Sequence, residues 1–353
     1  MRIALVAHSL SSNIGDRYQG TGIMRLFLAS FPDAHFDFIN SHPFNDNSSS
    51  RELSWERQGR YSVLDPDVVD WESYDVAVLA TGSISGDALH CRWADALLRS
   101  KRTRRLVIWG GFHDITDFEV ENPQNTPLRR IFRDKRTYFF SRGWLELVVH
   151  KFISHSERGY CGGDPVLLND FSSLRRLPHT YRSPLLVISG HVFADNDADG
   201  RSLLSTVAEE FPVICSVEGV EDKRIVSSLN ANVTLANTLE KYADLALKAS
   251  IVVTQRLHGI ALAKAVSPGL PVLCWVPERN RVSHIKFRSV VETATGFGQP
   301  IAHYFDRLTA PTIRAAIDNP DTFLRREHEI NFERYCHLTY ATFDKICDIV
   351  REM

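Results

Sequence analysis

Residues 251–276 read IVVTQRLHGIALAKAVSPGLPVLCWV, and the fold follows from how that stretch divides. Ile251, Val252 and Val253 are apolar and β-branched, as a strand buried on both faces requires. A short polar turn follows, Thr254-Gln255-Arg256-Leu257-His258-Gly259. Residues 259–265 then read as a helix, Ser267-Pro268-Gly269 breaks it, and the apolar run 270–276 forms a second strand. Strand, helix and strand in that order build a parallel sheet.

The turn also carries chemistry. A helix start offers backbone N–H groups without internal partners and the positive end of the helix dipole, which together attract anions. Arg256 adds a guanidinium able to grip a carboxylate or phosphate at two points. His258 adds a group that moves protons near neutral pH, and Gly259 lets a ligand approach the backbone. The same residues also fit a plain helix start, with Arg256 in solvent and His258 satisfied as a structural residue.

The alternation of apolar runs and amphipathic stretches extends along the whole chain. Strands are predicted over 2–7, 35–39, 75–80, 106–109 and 138–141, with helices over 22–29, 87–99 and 144–151. After a basic, proline-bearing break near 172–184, strands are predicted over 185–189, 213–217, 233–236, 251–254 and 270–276. Helices over 200–210, 221–230, 239–249 and 259–265 separate them, and residues 311–353 read as helical. The expected fold class is α/β, with two facing Rossmann-like domains over 1–178 and 179–353 and a ligand cleft between them. Residues 41–71 are polar and without periodicity, and read as a loop-like excursion from the first domain. The basic run 101–105 (KRTRR) reads as the solvated end of a helix.

Composition limits the function classes. The 353 residues are 44% hydrophobic and 24% charged, with a net charge of −2, so nothing draws the whole chain to nucleic acid. The six cysteines have no CxxC spacing and read as free thiols in a reducing compartment. The opening MRIALVAHSL is too short an apolar run for a signal peptide, and no run approaches the ~20 residues of a membrane span. A cytoplasmic location is therefore expected. No HExxH, HxH or Cys/His cluster suggests a metal, and no Walker loop or G-x-S-x-G elbow is present.

Further polar or glycine-rich turns follow other predicted strands. They are SSNIGD with Asn13, Gly15 and Asp16, TGSISG with Gly82 and Ser83, WGGF with Gly110 and Gly111, and SRG with Arg142. GDPV, with Asp164, reads more simply as a turn. Each alone is an ordinary turn.

In this order the segments SSNIGD, ATGS, IWGG, FFSRG, GDPVLL and VVTQRLHGIALAKAVSPGLPVL resemble the polysaccharide pyruvyl transferase family. The resemblance implies the two-domain glycosyltransferase-B-like fold, with an acceptor-side first domain and a donor-side second domain. Apart from the resemblance, the helical stretch 311–353 can cross back to pack on the first domain. The resemblance also implies an enzyme of exopolysaccharide or cell-surface glycan biosynthesis that needs no cofactor. Phosphoenolpyruvate is the donor, the acceptor is a sugar or lipid-linked oligosaccharide, and peripheral membrane association fits such an acceptor.

On that reading Arg142 and Arg256 hold the donor, and His258 is the acid–base group, with Asp16 or Asp164 orienting it or deprotonating the acceptor. Asn13, Gly15, Gly82, Ser83, Gly110, Gly111 and Gly259 line the substrates. Lys286 stands where the family carries a cation. Ketal formation needs a proton on the methylene carbon of the donor, attack by a sugar hydroxyl at the adjacent carbon, and loss of phosphate. Two alternatives use the same fold: a nucleotide-sugar-dependent glycosyltransferase, for which Glu278 could meet the ribose, and an inactive sugar-binding protein.

Overall fold

The strand and helix alternation becomes two all-parallel sheets in a computed structural model of the protein. The structure describes residues 1–8, 14–40, 61–64, 66–81, 88–111, 126–172, 174, 183–187, 209, 214–217, 232–236, 238–254, 256–275 and 281–353. Asn13, Gly82, Ser83, Glu278, the helix expected over 221–230 and most of that over 200–210 lie outside the described residues.

The first sheet contains β1 (Arg2–Ala7), β2 (His35–Asn40), β3 (Tyr61–Leu64), β4 (Val76–Ala80), β5 (Arg105–Trp109), β6 (Thr137–Ser141) and β7 (Gly159–Cys161). Their order is β3-β2-β1-β4-β5-β6-β7, every neighbouring pair parallel. Helices α1 (Ile14–Ser30), α2 (Ala88–Arg99), α3 (Thr126–Arg133) and α4 (Trp144–Ser154) connect them.

Side chains alternate across a strand, so the apolar runs supply two cores, one per face. Ile3, Leu5, Ala7, Val76, Val78, Val107 and Trp109 pack with Phe27, Phe36 and Phe38 on one side. Ala4, Val6, Ala77, Leu79, Leu106 and Ile108 pack with Trp93, Leu97, Ile131 and Phe132 on the other.

The second sheet contains β8 (Ser183–Val187), β9 (Ile214–Val217), β10 (Asn232–Leu235), β11 (Ala249–Thr254), β12 (Val272–Trp275) and β13 (His303–Phe305). Its order is β10-β9-β8-β11-β12-β13, again with every pair parallel. Helices α5 (Leu239–Leu247), α6 (Leu257–Val266), α7 (Arg281–Thr293), α8 (Ala310–Asp318) and α9 (Arg326–Arg351) accompany it.

In both sheets the order reverses beside the first strand, which is the Rossmann-like arrangement, and ligands of such sheets bind beyond the strand ends at that reversal. Contacts divide the chain into one unit of Met1–Ser11, Asp16–Asn169 and Tyr335–Met353 and another of Ser12–Gly15 and Asp170–Arg334. Helix α9 thus begins in the second unit and ends in the first, where Phe343, Ile346 and Val350 join the core.

Several elements differ from the sequence expectation. The excursion 41–71 contains β3, a four-residue edge strand too short to show a period. Helix α1 starts eight residues before the expected Gly22, because glycines weaken its helical signal. One of them, Gly20, is required by packing: a Cβ there would lie 2.6 Å from that of Ala7. In the run 101–105, residues 101–104 form the turn between α2 and β5 rather than a helix end, and Arg105 opens β5. Arg102 Nε donates to Asp75 Oδ1 at 2.9 Å, and Arg104 Nη1 donates to the Met353 carbonyl at 3.2 Å.

Candidate functional site

The loop after β11 is shaped by its own residues. Thr254 Oγ1 accepts the Arg256 N–H at 2.9 Å, turning the chain within two residues of the strand end. Arg256 then occupies the N-cap of α6 in an extended conformation, and its side chain makes no capping hydrogen bond. No acidic residue lies in the first turn of the helix. The dipole and the leading N–H groups therefore meet no negative side chain of α6 itself.

His258, the second residue of α6, is 4% exposed. All ten residues of α6 are buried, including Lys264, so the helix is held on every side. Tyr242 of α5 anchors its first turn, the hydroxyl donating to the Gly259 carbonyl at 2.8 Å. At the other end Lys264 Nζ donates to the Pro268 carbonyl at 3.0 Å. Burial pulls the Lys264 pKa down to about 8, against the opposing charge of Glu329. Gly15, grouped by contact with this second unit, lies against His258, where a Cβ would come within 2.0 Å of the imidazole-bearing Cβ. Only glycine leaves that space.

In the first unit, the ends of β5, β6 and β7 meet in a buried polar cluster. Gly110 has φ +72°, and a Cβ there would lie 2.9 Å from Pro165 Cδ and 3.3 Å from Gln19 Nε2. Gln19 Nε2 donates to Asp164 Oδ1 at 3.3 Å, and the same oxygen accepts the Val166 N–H at 3.0 Å. Arg142 is wholly enclosed, with Nη2 and Nε 2.8 and 3.2 Å from Glu146 Oε1. Burial alone would lower the Arg142 pKa, but the charges of Glu146 and Asp164 outweigh it and raise the value. Tyr335 of α9 closes the cluster by donating to the Arg142 carbonyl at 2.7 Å.

The sequence-predicted residues therefore fall into two groups. Arg256, His258, Gly259 and Gly15 come together at the start of α6. Lys286 is half-buried on α7, a helix that packs against α6. In the first unit Asp16 lies in the first turn of α1, and Gly110 and Gly111 are buried after β5. Arg142, expected to grip the donor, instead forms an interior ion pair that braces the loop after β6. Sequence reasoning missed Tyr242, Gln19 and Tyr335. Tyr335 is 193 residues from its partner Arg142, and no local pattern links such positions. Among the described residues no cluster of three or more His, Cys, Asp or Glu could hold a metal ion.

No protein-family model matches the sequence, and no curated protein sequence matches it. Solved structures do match. Anabaena Alr3699/HepE in complex with UDP and glucose superposes with a TM-score of 0.61 over 100% of both chains, at 11% identity. The wall teichoic acid polymerase TagF gives 0.59 over 100% of this chain and 88% of its own, at 10% identity. An alpha-glucosyltransferase in complex with UDP gives 0.53 over 97% of this chain and 95% of its own, at 11% identity.

The fold is glycosyltransferase-B. At such identities the likeness establishes the architecture of two Rossmann-like units and leaves the chemistry to the residues.

Proposed function

We propose that the protein is a glycosyltransferase that takes its sugar from a nucleoside-diphosphate sugar and passes it to a glycan acceptor. The observation that carries this reading is the start of α6. A helix N-terminus without an acidic first turn, with Arg256 at its cap and buried His258 in its first turn, lies directly after a central strand of a Rossmann-like sheet. That combination suits a diphosphate. Two of the fold neighbours were solved with UDP, which supports a nucleotide donor.

In transfer, the bond between the anomeric carbon and the diphosphate oxygen breaks, and an acceptor hydroxyl oxygen forms the new bond. Negative charge grows on the departing diphosphate, where Arg256 and the α6 N–H groups stabilise it. His258 holds that oxygen or takes the acceptor proton.

A second reading, pyruvyl transfer from phosphoenolpyruvate to a sugar or lipid-linked oligosaccharide, is favoured by one observation. The Arg256-Leu257-His258-Gly259 segment that resembles the pyruvyl transferases forms this helix start. Its donor is also an anion, and the same cations would hold its phosphate and carboxylate.

Calorimetric titration with UDP, CDP and ADP against phosphoenolpyruvate separates the two readings. Nucleotide binding that falls about 30–150-fold in Arg256→Ala supports the first, since a charge-assisted contact of this kind contributes about 2–3 kcal/mol. Phosphoenolpyruvate binding with no nucleotide binding would replace it by the second. In the enzyme so identified, His258→Gln lowers turnover by about 10²–10⁴-fold if the imidazole moves the proton.

A further inference from the structure

Three large apolar side chains stand exposed on a single helix of the first unit. Trp144, Val148 and Phe152 of α4 are 39%, 49% and 81% exposed. Residues four apart lie above one another on a helix, so the three form one stripe. Leu145 and Val149, half-buried, widen it. The opposite face, with Glu146, Leu147, His150 and Ser154, is buried. Helix α4 is therefore satisfied by the core on one side and apolar on the side facing solvent, which an ordinary surface helix is not.

The stripe has a cationic border. With the buried Arg142–Glu146 pair and the Arg136–Asp134 pair set aside, residues 126–158 keep six Lys and Arg against Glu157 alone, in a chain whose net charge is −2. Lys151 is exposed on α4 itself, beside Phe152. Arg133 reaches the last turn of α4, with Nε 3.2 Å from the Ser154 carbonyl and Nη2 3.3 Å from that of Ile153. Arg158 donates to the Lys135 carbonyl, which adds two more exposed cations to the same border.

We propose that this face of the first unit docks on an anionic bilayer surface, with Trp144, Val148 and Phe152 entering the headgroup layer. A helix with an aromatic and aliphatic stripe edged by Lys and Arg combines the two weak attractions, apolar burial and charge, that peripheral membrane binding needs. A two-fold pairing of copies through α4 would bring two cationic faces together, which opposes self-association. A stripe one helix wide also falls short of the roughly 800 Å² per partner that a stable protein interface buries.

Co-sedimentation with vesicles tests the proposal. The full chain partitions at least about tenfold more strongly onto phosphatidylcholine vesicles containing 30% phosphatidylglycerol than onto pure phosphatidylcholine, and less strongly as salt rises. Phe152→Ser and Lys151→Glu, both at exposed positions on α4, each reduce that partitioning about tenfold with unchanged circular dichroism. Vesicle-induced blue shift of tryptophan emission disappears in Trp144→Phe. Equal partitioning onto both vesicle types, or undiminished binding by Phe152→Ser, overturns the proposal. So does a concentration-dependent dimer of the wild type that Phe152→Ser abolishes, or loss of vesicle binding to an acidic polypeptide while Phe152→Ser remains fully bound.

Discussion

The Arg142–Glu146 pair places Arg142 in the interior, where its loss has a calculable effect on stability. Both side chains are wholly buried, Nη2 and Oε1 lie 2.8 Å apart, and Glu146 Oε2 also accepts the Arg142 N–H at 2.8 Å. Removing one member of such a pair leaves a charge in the interior with no counter-ion, which costs about 3–5 kcal/mol, whereas replacing both by apolar groups is often near neutral. Glu146→Leu is therefore expected to lose about 3–5 kcal/mol, and Arg142→Met a similar amount, since it strands Glu146 and withdraws a cation from Asp164. The double variant Arg142→Met/Glu146→Leu recovers most of this. It falls about 1 kcal/mol short of wild type, because the N–H of residue 142 loses its carboxylate acceptor.

Differential scanning calorimetry is the assay, since two units can unfold in separate transitions. A loss of that size lowers the transition of a unit of 150–250 residues by roughly 6–20 °C. The double-mutant cycle then gives the coupling energy directly. A ligand-binding arginine gives the opposite pattern. Single variants would lose under about 1 kcal/mol, and the stable double variant would no longer be protected by UDP or phosphoenolpyruvate. That outcome would refute the assignment of Arg142 to the interior.

Acid sensitivity is expected from His150, which is fully buried, stacked on Phe139 with ring centroids 3.8 Å apart, and pushed down to a pKa of about 3 by burial and then by Lys151. Below the ordinary histidine pKa the unfolded chain takes up a proton that the folded chain refuses, so stability is full above about pH 7 and declines toward pH 3. Between pH 8 and pH 5 this one group removes about 2 kcal/mol. Denaturant unfolding of His150→Leu should lack that increment, and an identical pH dependence in the variant would exclude His150 as its source. Gly110→Ala forces a Cβ onto a residue at φ +72°, 2.9 Å from Pro165 Cδ, and is expected to lose about 1–3 kcal/mol in the same measurement. Tyr242→Phe removes the hydrogen bond to Gly259, lowering stability by about 1 kcal/mol and, under the proposed function, raising the nucleotide Kd severalfold. An unchanged Kd would place the ligand away from the start of α6.

The architecture was legible because parallel strands buried on both faces must be apolar throughout, and such runs stand out without any knowledge of neighbours. Strand β1 over Arg2–Ala7 was readable to the residue, and β11 and α6 nearly so. The short edge strands β3, β7 and β13 were not, since three or four residues show no period. The turn from Thr254 to Gly259 was readable as a strand end followed by a helix start through its residue types alone. Whether an arginine faces a ligand or a carboxylate depends on what lies within a few ångströms of it, and sequence spacing does not record that. Arg142 and Arg256 look alike in the sequence, each just after a strand and before a helix. Only the tertiary structure closes Glu146, Asp164 and Tyr335 around Arg142 and leaves Arg256 at the cap of α6 without a capping bond, because burial is decided by elements far apart in the chain.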